Sequence, residues 1–80
     1  MSSCADLLAR AQRSPHNFRF TDLIALAECH GWRFSRRRGS HVLLHRPGTP
    51  QLLNFQNESG KAKAYQVRQL LAAIASLANE

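Results

Sequence analysis

Gly39-Ser40-His41 is the segment of this 80-residue chain best suited to chemistry. A histidine beginning a strand beside a flexible turn gains and loses a proton near neutral pH. Arg33, Arg36, Arg37 and Arg38 precede it closely enough to hold a phosphodiester within its reach. The same histidine would also serve as a plain polar residue at the surface of a hairpin, and the residues alone leave both readings open. His45 suggests a paired acid and base, but four residues along a strand span ~13 Å, too far to serve both sides of one phosphorus. A one-histidine mechanism is therefore expected. His16 lies in a Pro15-His16-Asn17 loop and His30 at a helix C-terminus, where a cation suits the dipole. Lys61 and Lys63 precede the last helix, so two ammonium groups and unpaired helix-start amides converge there, as phosphate binding requires. An ordinary charged loop reads the same way.

The charge distribution sharpens this. The chain carries a net charge of +6, and Arg33, Arg36, Arg37, Arg38, Arg46, Lys61, Lys63 and Arg68 crowd one stretch whose only acid is Glu58. Such a surface attracts phosphodiesters, an anionic membrane or an acidic protein, and charge alone does not choose among them. With Glu58 standing alone there is no carboxylate cluster for Mg²⁺, so any phosphodiester cleavage is expected to need no metal and no cofactor. That favours RNA, which carries its own nucleophile in the 2′-OH. Cys4 and Cys29 have no zinc-ligand spacing and form no disulfide framework, and both are expected to stay reduced. The N-terminal stretch is interrupted by Asp6, Arg10 and Arg13, which argues against a signal peptide or membrane span and for a cytoplasmic protein.

The elements that must position these groups form one unit over 1–80. Ser3 and Asp6 resemble a capping box, and Leu7, Leu8 and Ala11 predict an additional N-terminal helix at about 4–13, stopped by Ser14-Pro15. Thr21 can cap a second helix over about 22–30, with Gly31 as its left-handed terminus. From Trp32 the pattern turns to period two, predicting a strand to Arg36, a second from His41 to Arg46 and a third from Gln51 to Gln56. Val67, Leu70, Leu71, Ile74 and Leu77 mark a last helix over about 64–78. The order α-α-β-β-β-α predicts an α+β fold, a three-stranded antiparallel meander with its helices on one face.

Side-chain parity decides which way His41 points. An odd-length loop with Gly39 at positive φ groups Trp32 and Phe34 with Val42 and Leu44 as an apolar core face. Arg33, Ser35, Arg37, His41, Leu43 and His45 are then expected on the open face.

Gly31-Trp32, Arg36, Gly39-Ser40-His41, His45-Arg46-Pro47, Leu53-Asn54, Gln56 and the run Gly60-Lys61-Ala62-Lys63-Ala64-Tyr65-Gln66-Val67-Arg68-Gln69-Leu70 together resemble the HicA family of bacterial toxins, in a longer-form branch that begins with an additional helix. The resemblance implies a double-stranded-RNA-binding-domain-like fold, endoribonuclease activity on mRNA and a cognate HicB-type antitoxin. It places the catalytic histidine at His41, with Arg36, Arg37, Arg38, Ser40, Lys61 and Lys63 left to bind RNA. The chain departs from many relatives in having Asn54-Phe55-Gln56 where a further histidine is common, and Ala64 where proline is common. A non-catalytic RNA-binding module of the same fold, and a domain whose basic face only docks an acidic protein, are the competing readings.

Overall fold

The computed structural model describes residues 3–78, and the outermost residues of the expected 1–80 unit lie outside that range. Six elements run in the order α1 (Cys4–Arg13), α2 (Phe20–Cys29), β1 (Arg33–Arg38), β2 (His41–Arg46), β3 (Thr49–Gln56) and α3 (Ala64–Leu77). This is the expected α+β order. The strands form one antiparallel sheet in the order β1-β2-β3, and residues from all three helices join the sheet in one core.

Each helix start has a local cause. Ser3 caps α1 reciprocally: its hydroxyl accepts from the Asp6 amide while the Asp6 carboxylate accepts from the Ser3 amide. Thr21, expected to cap α2, lies inside it instead. The helix begins at Phe20 after Arg19, because the backbone of 18–20 is already tied to that of 60–62. The Phe20 amide donates to Gly60 C=O and the Ala62 amide to Phe18 C=O, which satisfies a helix-start N–H without a side-chain cap. His30 is the C-cap of α2, its Nδ1–H donating to Leu26 C=O, and Gly31 follows at φ 96°.

On the sheet, Val42 lies opposite Phe55 and Leu44 opposite Leu53, and all four are buried with Leu23, Leu26, Val67 and Leu70. Trp32 is buried before β1 begins. The Arg46 guanidinium lies 5.7 Å from the Trp32 ring, and its Nε donates to His30 C=O at 2.7 Å. One half-buried cation thus joins the end of α2 to the end of β2, and Arg46 belongs to the frame more than to the cationic surface.

The β1–β2 hairpin corrects the expected parity. Its loop has two residues, Gly39 and Ser40, with Gly39 at φ 57°. An even loop alone would turn Phe34 away from Leu44, but Ser35 bulges out of the pairing and reverses the alternation. Phe34 therefore lies opposite Leu44 as expected, while Arg37, expected on the open face, lies opposite Val42 on the helix side. Arg36 and Arg38 take its place, opposite Leu43 and His41. Phe34 is nevertheless 56% exposed. It is on an edge strand, in a groove with Phe20, Ile24 and Arg37.

The cysteines overturn a further expectation. α1 starts where α2 ends, so Cys4 and Cys29 have Cα atoms 5.9 Å apart and are joined by a disulfide, a relation that sequence separation conceals. The bond anchors α1, whose Leu7 and Ala11 are buried against the core. Such bonds persist in oxidising compartments and are reduced by cellular thiols elsewhere, so the anchoring of α1 depends on its surroundings. Closing a loop of 25 residues contributes about 3 kcal/mol through chain entropy. The Cys4→Ser/Cys29→Ser double variant should therefore melt roughly 10–20 °C lower than the oxidised chain in a thermal scan. An unchanged midpoint would show that packing alone holds α1.

Candidate functional site

The two-residue loop and the two apolar pairs leave a second set of side chains on the open face, arranged in rows across the three strands. One row is Arg38, His41 and Gln56, and the next is Arg36, Leu43 and Asn54. Neighbouring strands are about 4.8 Å apart, so the guanidinium groups of β1 can reach an anion held against the His41 ring. His41 is half-buried and its Nδ1 lies 3.0 Å from Asn54 Oδ1. Gln56 Nε2 donates to Ser40 Oγ at 3.5 Å, and the Asn57 amide donates to Ser40 C=O at 2.8 Å. These bonds tie the Gly-Ser-His turn to the end of β3.

That end of β3 is held from outside the sheet. Gln66, 4% exposed, receives the Gln56 amide on its Oε1 at 2.8 Å and donates from Nε2 to Asn54 C=O at 3.1 Å and to the Tyr65 hydroxyl. One carboxamide closes the two strand groups that an edge strand would leave unpaired, groups that are costly to bury alone.

The expected site residues divide among different places. His41, Arg36 and Arg38 come together on the open face, and Ser40 sits in the adjoining turn. Arg37 lines a groove on the other side with Phe20, Ser40, Asn57 and Ser59. Lys61 and Lys63 lie in the segment before α3. Lys61 Nζ donates to Asn17 Oδ1 at 3.4 Å, and Lys63 Nζ is ion-paired to Glu58 at 2.9 Å. The hydrogen bond to Glu58, and then its charge, hold the Lys63 ammonium above its ordinary range. Glu58 is thus not an isolated acid, and Lys63 is not an uncommitted cation. His45, opposite Arg33, is exposed near the far end of β2, and His16 Nε2 accepts from Arg68. Among the described residues no three His, Cys, Asp or Glu side chains come together as metal ligands, and no helix is long and apolar enough to cross a membrane.

Two residues with no chemical role expected from the sequence, Asn54 and Gln66, prove central to this geometry. Asn54 is the polar residue between Leu53 and Phe55, which puts it on the open face, but only the β2–β3 register places it beside His41. Gln66 precedes Leu70 by four and Ile74 by eight, so it is a polar residue on an apolar helical stripe, which is a readable signal of a buried partner.

The family model for the HicA toxin of bacterial toxin–antitoxin systems matches residues 20–75, from the start of α2 into α3, leaving α1 outside the match. No curated protein and no solved structure matches the chain. With that match over most of its length, the chain belongs to the HicA toxin family and is the toxin of a toxin–antitoxin system with a cognate antitoxin as its partner.

Proposed function

We propose that this toxin is an endoribonuclease that cleaves mRNA without a metal ion, with His41 moving the proton at the reacting phosphodiester. The observation that carries this reading is the row Arg38–His41–Gln56 on an open sheet face, with Arg36 in the next row. In the reaction the 2′-OH oxygen attacks phosphorus and loses its proton, and the 5′-oxygen leaves and gains one, so the chemistry needs a proton carrier and charge neutralisation. His41 supplies the first. Arg36 and Arg38 supply the second, since no ion pair among the described residues involves either. Ser40 in the adjoining turn, and Arg37, Lys61 and Lys63 outside the two rows, are assigned to binding the RNA backbone.

His41→Ala should lower RNA cleavage in EDTA by ~10²–10⁴ and abolish growth toxicity. It should leave circular dichroism and antitoxin pull-down unchanged, because truncating a half-buried side chain on an open face opens no core cavity. His45→Ala should cost much less. Near-normal cleavage by folded His41→Ala protein would remove the catalytic role and leave a module that only binds RNA.

Affinity for a short single-stranded RNA should fall steeply with salt, and removing the cation from one phosphate should flatten the log–log slope by about 0.7. Arg36→Ala and Lys61→Ala should each show this flattening. Lys63→Ala should show less, because its ammonium must first leave Glu58. A slope that no single variant alters would detach these residues from the RNA.

A further inference from the structure

The hydrogen bond between His41 and Asn54 fixes more than a ring orientation. Asn54 presents its carbonyl oxygen to His41 Nδ1 at 3.0 Å, and an amide oxygen only accepts. The ring proton of neutral His41 must therefore sit on Nδ1, donating to Asn54, which leaves Nε2 bare. Asn54 is in turn held through its main chain. In a strand the C=O of one residue and the N–H two residues on point to the same edge, and the Gln66 carboxamide engages both, at Asn54 and Gln56. The two β3 residues gripped by α3 are those that flank His41: Gln56 lies opposite it, and Asn54 lies one row away and accepts from it. The partner is a neutral amide where a carboxylate would add charge. The nearest charged neighbours in the rows are Arg38 and Arg36, both on β1, while β3 contributes only Asn54 and Gln56.

We propose that Asn54 is a positioning residue that fixes the His41 tautomer, so that Nε2 is the nitrogen that takes the 2′-OH proton, and that Gln66 holds the strand carrying Asn54 in place. The proposal rests on the ribonuclease reading for its chemistry, but the tautomer is a property of the protein itself. In the proton transfer the O–H bond of the 2′-hydroxyl breaks, an Nε2–H bond forms, and the Nδ1–H bond to Asn54 stays intact.

The experiment uses the full chain labelled with ¹⁵N, reading the His41 ring nitrogens by long-range proton–nitrogen correlation, with single-turnover cleavage measured in parallel. In the wild type, Nδ1 should carry the proton and Nε2 should show the shift of an unprotonated nitrogen. Asn54→Leu has no acceptor, so the ring should move toward the Nε2–H form and the saturated rate should fall by about 10-fold or more, with RNA affinity little changed. Asn54→Asp keeps an acceptor oxygen and should keep the tautomer and recover most of the rate. Its acid-side limb should move to higher pH, because a carboxylate beside the ring favours the imidazolium. A wild-type ring protonated on Nε2, or a tautomer unchanged in Asn54→Leu, would overturn the proposal. If His41→Ala cleaves normally, the ribonuclease reading fails separately, and the nitrogen shifts still decide whether Asn54 sets the tautomer.

Discussion

Val42 and Leu44 are buried directly opposite Phe55 and Leu53, and strands that alternate with period two cannot bury these four without presenting His41, Leu43, Asn54 and Gln56 on the other face. Burying one large apolar side chain is worth about 1.5–3 kcal/mol, so slipping one strand by a residue, which turns its two core side chains outward, would forfeit on the order of 3–6 kcal/mol. The total stability of a domain is about 5–15 kcal/mol. A one-residue slip of β2 against β3 is therefore strongly disfavoured, and the face on which His41 stands follows from the packing of residues on the opposite face.

The edges of the sheet follow a different rule, because there the backbone has no further strand to pair with. At β3 the solution is a buried side-chain amide from α3, which stands in for a neighbouring strand at Asn54 and Gln56. At β1 the solution is charge and a bulge: Arg33, Arg36, Arg37 and Arg38 surround the bulged Ser35, and every residue of the strand is exposed. Cationic, bulged edges resist pairing with other chains. Of these arginines, Arg36 and Arg38 also put positive charge on the His41 face, so one stretch of sequence both guards the edge and charges the open face.

This division explains which parts of the fold are legible in the residues. The capping box at Ser3 and the stripe ending at Leu77 are local patterns, and α1 and α3 lie where those patterns predict, α3 to within one residue. The start of α2 is not local, since Phe20 is held by Gly60 across the chain, and a Thr at 21 then misleads. The faces of β1 depend on Ser35, an ordinary residue that becomes a bulge only through its partner strand. The bulge returns Phe34 to the Leu44 side, whereas the exchange of Arg37 for Arg36 and Arg38 on the open face follows from the two-residue Gly39-Ser40 loop. Cys4 and Cys29 meet only because α1 and α2 pack with opposite ends together, which no spacing within either helix records.

Charge shows the same limit from another side. In the sequence the cations between 33 and 68 are equivalent, but the structure assigns them different work before any ligand arrives. Arg46 is committed to His30 and Trp32, Lys63 to Glu58, and Arg68 donates to His16. A cation already engaged must exchange one partner for another when a phosphate approaches, so its net contribution to binding is smaller than its charge suggests. Arg36 and Arg38 face no such exchange with a carboxylate among the described residues. They also stand in the rows that hold His41 and Asn54, so two arginines with no carboxylate partner among the described residues lie beside the half-buried histidine that Asn54 holds on the open face. On the proposed ribonuclease reading, a polyanion drawn in by those arginines is delivered to His41.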